Sequence, residues 1–124
     1  MAAARYTTDE TWLLIEGDKA TVGITHYAQE QLNELVFVKL PELGQKLSKG
    51  KLAATVESVK AASDIYSPVT GEVLEVNPAI VSEPTMVNSD PMGAGWFFKV
   101  RIDQKGELAD LMNESQYRAY ARKQ

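Results

Sequence analysis

The sequence predicts a mainly β fold, a flattened β-sandwich or barrel with helices at its edges. Many short segments rich in β-branched and apolar residues are separated by glycine and proline turn signals, which is typical of such folds. Hydrophobic residues make up 44% of the 124 residues, enough for the core of a single domain over 1–124. Two stretches, 40–50 and 67–77, each place a glycine three residues after a proline, and this repeat suits a sandwich with approximate two-fold symmetry.

The first third of the chain predicts a hairpin, a short helix and a strand. Segments 11–17 and 19–24 carry apolar and β-branched residues on both sides of a glycine-aspartate turn signal. A short helix near 25–33 follows, and Thr25 is placed to cap its first turn. Segment 35–40 is rich in β-forming residues and ends at a proline, so we expect a strand there.

The middle of the chain predicts a hairpin with Lys60 at or near its tip. The extended segments 52–59 and 64–69 are separated by only a few residues. A tip has few packing neighbours, and residues 61–63 are small, so an enzyme could approach the ε-amino group of this lysine.

The last third predicts two strands, a long loop and a C-terminal helix. Segment 72–77 alternates apolar and polar residues as a half-buried strand does, apart from the adjacent Val73 and Leu74, and 96–102 is a further strand. Segment 78–95 contains three prolines and two glycines, which predicts a loop with short extended pieces. A helical segment over about 106–122, broken near Asn113, carries an apolar stripe and ends in basic residues that include Arg122 and Lys123.

Composition excludes several classes of function. There are no cysteines, so disulfides, thiolate metal sites and cysteine nucleophiles are excluded, and a single histidine, His26, cannot anchor a usual zinc site. The formal net charge is −4 and no basic run is present, which argues against nucleic-acid binding. No apolar run is long enough to span a bilayer, and the first residues lack a secretory apolar stretch. We therefore expect a cytoplasmic protein of bacterial type, although a mature organelle protein would look the same.

Chemistry leaves two functional roles for Lys60 beside that of an ordinary solvated lysine. A Schiff-base nucleophile needs an apolar pocket or a nearby cation, and a hairpin tip supplies neither. An acylation site needs an accessible amine on a flexible stem, which a tip does supply.

The region around Lys60 resembles a known carrier family. Residues 56–77, VESVKAASDIYSPVTGEVLEVN, resemble the lipoyl-attachment segment of the H protein of the glycine cleavage system. The likeness continues in the same order and similar spacing through five further segments, at 22–25, 27–32, 36–44, 87–91 and 95–100. The resemblance implies a barrel-sandwich hybrid of lipoyl-domain type, with a lipoyl-like core over about 19–102 followed by the C-terminal helical segment.

The resemblance also implies roles for individual residues. Lys60 matches the lysine that carries lipoic acid through an amide. Glu57, three residues before it, and Gly71, eleven residues after it, match positions used in recognition by the attaching enzyme and in the turn of the adjoining strand. Asp64 matches an acid beside the cleft that receives the loaded arm, where it could hold a cationic amine.

Two positions depart from the family pattern. The family usually has an acid directly before the tryptophan, whereas Thr11 precedes Trp12 here, and Glu10 can supply that charge only if the backbone shifts. A Leu-Gly pair common in the family is Leu32-Asn33 in this chain, and asparagine tolerates a left-handed backbone better than most residues. The first departure bears on sequestration of the arm more than on its attachment.

The function implied is that of a non-catalytic shuttle, expected to be a monomer. It takes an aminomethyl group from a pyridoxal-phosphate glycine decarboxylase to a folate-dependent aminomethyltransferase. It then passes electrons to a dihydrolipoyl dehydrogenase, after a lipoate-attaching enzyme has modified it.

Other carriers fit less well. A biotin carrier normally has methionine on both sides of its lysine, whereas Val59 and Ala61 stand here, and a 2-oxoacid dehydrogenase domain would bring a flexible linker and a catalytic domain. An H-like protein that donates lipoyl groups during protein lipoylation remains open as an alternative.

Overall fold

A computed structural model describes residues 3–121, which form two antiparallel sheets and several short helices. The strands in chain order are β1 (Ala3–Tyr6), β2 (Thr11–Glu16), β3 (Lys19–Ile24), β4 (Leu35–Lys39), β5 (Lys46–Leu47), β6 (Leu52–Ser58), β7 (Ala62–Tyr66), β8 (Gly71–Val76) and β9 (Phe98–Ile102). The α-helices are α1 (His26–Leu32), α2 (Ala79–Ser82), α3 (Thr85–Ser89) and α4 (Glu114–Ala121), and a 3₁₀ helix spans Lys105–Asp110.

The larger sheet has the order β1-β2-β3-β9-β8-β5 and the smaller has the order β4-β6-β7. Both contribute to one hydrophobic cluster, with Leu13 and Val22 from the larger sheet, and Val38 and Val56 from the smaller, all buried. Strand β9 shows the alternation most clearly, because Phe98, Val100 and Ile102 are buried and the residues between them are only partly buried. The mainly β fold with a C-terminal helix is therefore confirmed.

The first hairpin and the first helix agree with the sequence. Strands β2 and β3 pair from Thr11 opposite Ile24 to Glu16 opposite Lys19, and the connecting Gly17 has a φ of 64°. The Oγ1 of Thr25 accepts a hydrogen bond from the Ala28 amide at 3.2 Å, as predicted for a helix cap.

The turn after α1 has a positive φ, as the asparagine suggested, but a ψ of −157° that differs from the left-handed helical value. Asn33 has a φ of 67°, and its amide donates to the Gln29 carbonyl at 3.0 Å. An asparagine therefore occupies a positive-φ position at the end of this helix.

The prediction of a loop over 78–95 was wrong in part, because this stretch contains the helices α2 and α3. Each helix follows directly on a proline, Pro78 or Pro84, whose backbone is already helical. A proline fits the first turn of a helix because its φ is fixed near the helical value and its missing N–H has no partner there.

Two strands differ from the predicted pattern. Strand β7 lies at Ala62–Tyr66 and not at 64–69, because the preceding turn is tighter than expected. Strand β1 was not predicted, and it pairs along β2 with Tyr6 opposite Trp12.

The C-terminal segment is broken near Asn113, as expected, into the 3₁₀ helix and α4. The predicted basic residues Arg122 and Lys123 lie outside the described residues.

Candidate functional site

Lys60 is exposed at the tip of the β6–β7 hairpin, where the sequence placed it. The turn is closed by the last residue of β6, Ser58, whose amide donates to the Ala61 carbonyl at 2.7 Å. The Oγ of Ser58 accepts from the Lys60 amide at 3.1 Å and from the Ala61 amide at 2.9 Å, and donates to the Ala61 carbonyl at 3.1 Å. The Ser58 hydroxyl thus fixes the peptide groups on both sides of Lys60, while the lysine side chain stays in water.

The tip is also tied to the neighbouring strand. The Val59 amide donates to the Glu34 carbonyl at 3.0 Å, just before β4 begins, and Leu35 pairs with Ser58 across the sheet. The lysine therefore projects from a turn that is held by bonds within the hairpin and by one bond from outside it.

Glu57 lies on the exposed face of β6, one residue after the buried Val56. It pairs with Phe37 on one side and with Ala62 on the other. Its carboxylate therefore stands on the hairpin near the base of the turn, open to a partner that approaches the lysine.

Gly71 lies away from the tip, buried at the start of β8 opposite Ile102. A Cβ at this position would lie 1.9 Å from the carbonyl oxygen of Arg101, and its φ is not in the left-handed region. Glycine is thus required here for the close approach of β8 to β9, and not for a left-handed turn.

A cleft of about 240 Å³ lies beside the hairpin, between β3, α1 and β7. Asp9, Thr11 and Asp64 supply polar groups to it, and apolar side chains such as Ile24 and Ile65 supply the rest. Asp64 is exposed and opposite Thr55 in the β6–β7 ladder. The structure therefore places Asp64 in the lining of this cleft. The β7 residues that line it start at Ser63, three residues after Lys60 on the same hairpin.

Glu10 does not face this cleft. Its φ is 64°, and its side chain turns inward, so the residue is only 8% exposed. Its Oε1 accepts hydrogen bonds from the Thr25 hydroxyl at 2.6 Å and from the Tyr117 hydroxyl, while Oε2 is buried without a hydrogen-bond partner among the described residues. This conformation directs the Glu10 carboxylate to Thr25 and Tyr117, so that it helps to hold α4, and Asp9 is the residue from this turn that lines the cleft.

The contact between Glu10 and Tyr117 perturbs the tyrosine. Burial, and then the hydrogen bond to the Glu10 carboxylate, raise the pKa of Tyr117 to about 12. The Tyr117 ring also stacks on Tyr6 with the centroids 4.4 Å apart, which ties α4 to β1.

Comparison with known proteins assigns the chain to a family. A family model described as glycine cleavage H-protein matches residues 4–124. The glycine cleavage system H protein of Bradyrhizobium diazoefficiens is 59% identical over 120 residues, covering 97% of this chain and 98% of that protein. This chain belongs to the glycine cleavage H-protein family.

Two more distant H proteins agree. The one from Thermotoga maritima is 48% identical over 120 residues, covering 97% of each chain. The crystal structure of the H protein of Mycobacterium marinum superposes with a TM-score of 0.88 at 38% identity, covering 97% of each chain. The fold and the sequence therefore lead to the same family.

H proteins are non-catalytic lipoyl carriers of the glycine cleavage system, and they carry the lipoyl group on a lysine. Membership in that system implies three enzyme partners, the glycine decarboxylase, the aminomethyltransferase and the dihydrolipoyl dehydrogenase. Among residues 3–121, no helix is long and apolar enough to cross a membrane.

Sequence reasoning missed two residues of the site. Ser58 falls within a predicted strand, although a serine two residues before a tip is a known signal for a turn closed by its side chain. Asp9 gives no signal, because its place in the cleft depends on the inward turn of the residue that follows it.

Proposed function

We propose that Lys60 carries the lipoyl group and that this chain shuttles the aminomethyl group and then electrons among the three enzymes of glycine cleavage. The observation that carries the proposal is the exposure of Lys60 on a turn closed by Ser58, within the family segment 56–77. The bacterial origin of the relatives from Bradyrhizobium diazoefficiens and Thermotoga maritima supports action in a bacterial cytoplasm.

The surroundings of Lys60 fit a lipoyl amide. Residues 61–63 are small, and the described residues place no carboxylate within ion-pair distance of the lysine Nζ. Acylation removes the positive charge of an amine, so the lack of an ion-pair partner means that no salt bridge is lost when the amide forms. The bonds that Ser58 makes involve only the backbone and its own hydroxyl, so they persist in the modified protein.

A tethered arm has a clear physical advantage. When bound, the lipoyl group supplies a disulfide that is reduced as it accepts the aminomethyl group and is later reoxidised. Because the arm is covalently held, it is presented to successive active sites at high effective concentration. This chain contributes a rigid base for that arm and leaves the chemistry to its partners.

Asp64 acts together with Asp9 in this proposal. Both carboxylates line the cleft beside the hairpin, and a cationic amine placed there would be stabilised by two negative charges. Asp9 thus replaces the acid that the family places before the tryptophan, where this chain has Thr11.

Glu57 is the recognition residue for the lipoate-attaching enzyme in this proposal. Its support is the exposure of the carboxylate on the same hairpin as Lys60, near the base of the turn. An enzyme that binds the tip can therefore read this charge while its active site engages the lysine.

The test is the exchange of labelled bicarbonate into glycine by the glycine decarboxylase, which depends on a loaded H protein. Wild-type protein prepared with lipoate and the attaching enzyme should support exchange, and Lys60→Arg should not. Lys51→Arg is the matched control, because Lys51 is also exposed but precedes β6 at the other end of the hairpin.

Full exchange with the Lys60→Arg protein would overturn the assignment of the lysine. If the lipoylated wild-type protein supports no exchange, this chain would instead act as a donor of lipoyl groups in protein lipoylation.

A further inference from the structure

We propose that Asn88 is a positioning residue for the lysine-bearing turn, although it lies on α3, outside the hairpin. The predicted effect of Asn88 on lipoylation rests on the proposed role of Lys60. The predicted effect of Asn88 on the conformation of the turn does not, because it follows from hydrogen bonds within this chain.

The first step is the bond that holds the turn from outside. The Val59 amide, adjacent to Lys60, donates to the Glu34 carbonyl at 3.0 Å. The position of that carbonyl therefore decides whether the bond can form, and residue 34 lies in the short link between α1 and β4.

The second step is that Asn88 brackets this link from both sides. Its Nδ2 donates to the Asn33 carbonyl at 2.7 Å, and its Oδ1 accepts from the Leu35 amide at 2.9 Å. Since Glu34 is the single residue between them, one side-chain amide fixes the peptide groups on either side of the residue whose carbonyl binds Val59.

The third step is that Asn88 is itself well anchored. Its Nδ2 donates a second hydrogen bond, to Gln29 Oε1 at 3.0 Å, so both amide hydrogens and the oxygen are engaged. The residue before it, Val87, is fully buried, and a Cβ on Gly95 would lie 2.8 Å from the Val87 Cα. Helix α3 therefore packs tightly and supplies a firm support for the link.

Only a side chain with two donors and an acceptor satisfies this arrangement. Aspartate has the same shape and can still accept from the Leu35 amide, but it lacks both donors and would face the Asn33 carbonyl oxygen with a negative charge. Alanine removes all three bonds. Either change should release the link and, through it, the bond to Val59.

The experiment compares Asn88→Ala and Asn88→Asp with a matched control, Asn77→Ala. Asn77 is also a multiply bonded amide, with its Nδ2 donating to the Ala94 and Trp96 carbonyls, both at 2.8 Å, and its Oδ1 accepting from the Ala79 amide at 3.3 Å. The two Nδ2 bonds hold the segment before β9, whose Gly95 packs against Val87 of α3, and the Oδ1 bond goes to the start of α2; none of the three reaches the link or the turn. The variant thus loosens a segment beside α3 while leaving every Asn88 hydrogen bond to the link in place. Asn77→Ala therefore controls for a general loss of stability.

Two quantities are measured on the full-length, unlipoylated protein. Hydrogen exchange of the Val59 amide should become about fivefold faster in both Asn88 variants, the factor expected from losing one hydrogen bond of average strength. In lipoylation by the attaching enzyme, KM for the protein should rise with kcat unchanged, because fewer molecules hold the turn in the competent geometry. Asn77→Ala should change neither quantity, although its unfolding midpoint falls.

Unchanged Val59 exchange in both Asn88 variants would overturn the proposal, and so would an equal increase in Asn77→Ala. Asn88→Asp keeps the side-chain volume and the acceptor for the Leu35 amide, whereas Asn88→Ala avoids the negative charge, so exchange is read on each variant that circular dichroism shows to be folded. If exchange responds as expected but the wild-type protein is not lipoylated at Lys60, the positioning role stands and the proposed function of the lysine fails.

Discussion

Substitution of Gly71 by alanine should destabilise the protein without impairing lipoylation of the molecules that fold. The added Cβ would lie 1.9 Å from the Arg101 carbonyl oxygen, whereas ordinary contact begins at 3.4 Å, so β8 and β9 must separate by roughly 1.5 Å. Overpacking of this kind costs about 1–3 kcal/mol, and loss of one hydrogen bond between the strands adds about 1 kcal/mol. We therefore expect the free energy of unfolding to fall by about 3 kcal/mol, which corresponds to a fall of about 10 °C in Tm.

The assay is thermal and urea unfolding followed by circular dichroism, with Gly106→Ala as the matched control. A Cβ added at Gly106 would meet no atom within 4 Å, and the φ of this residue is not left-handed, so the control should change Tm little or raise it slightly. A Gly71→Ala protein as stable as the wild type would refute the close-approach reasoning. A stable variant that is lipoylated slowly would instead assign the glycine to recognition by the attaching enzyme.

Four further predictions concern Lys60, Glu57 and the contact of Tyr117 with Glu10. Lys60→Arg should change the free energy of unfolding by less than about 0.5 kcal/mol, because no packing is lost at an exposed tip; a melted protein by circular dichroism would contradict the exposed placement. Glu57→Ala should slow lipoylation, measured by intact mass over time, without changing Tm, and an unchanged rate would remove its recognition role. Tyr117→Phe should lower the free energy of unfolding by about 1–3 kcal/mol in urea titrations, because the buried Glu10 carboxylate loses a donor. In the wild type, the free energy of unfolding should also fall as pH rises from 10 to about 12. Tyr117 ionises near pH 10 in the unfolded chain, whereas its pKa in the folded protein is raised to about 12. A Tyr117→Phe protein with the same pH dependence in this range would show that Tyr117 is not the cause.

The parts of the fold that the sequence predicts correctly have a local signal. The β2–β3 hairpin has a glycine at its turn, and Thr25 precedes α1 as a cap should. Strand β8 places apolar residues between two glutamates, although its ladder shifts register between Val73 and Glu75. Helices α2 and α3 have four and five residues, too few to show a helical period, so the prolines before them indicate a loop when only the sequence is considered.

The parts of the site that were missed depend on contacts between distant residues. Glu10 turns inward because Thr25 and Tyr117, 15 and 107 residues away, hold its carboxylate. Asn88 lies 55 and 53 residues from the Asn33 carbonyl and the Leu35 amide that it binds. No local pattern encodes such pairs, whereas the tip position of Lys60 follows from two extended segments that are adjacent in the sequence.

The most direct test of the lipoyl-carrier role is to locate the modification on the protein. Protein produced with lipoate and the attaching enzyme should be digested and sequenced by tandem mass spectrometry. We predict a lipoyl adduct on the peptide that contains Lys60 and on no other lysine. An adduct on a different lysine, or unmodified protein under conditions that modify the Bradyrhizobium diazoefficiens relative, would contradict this assignment.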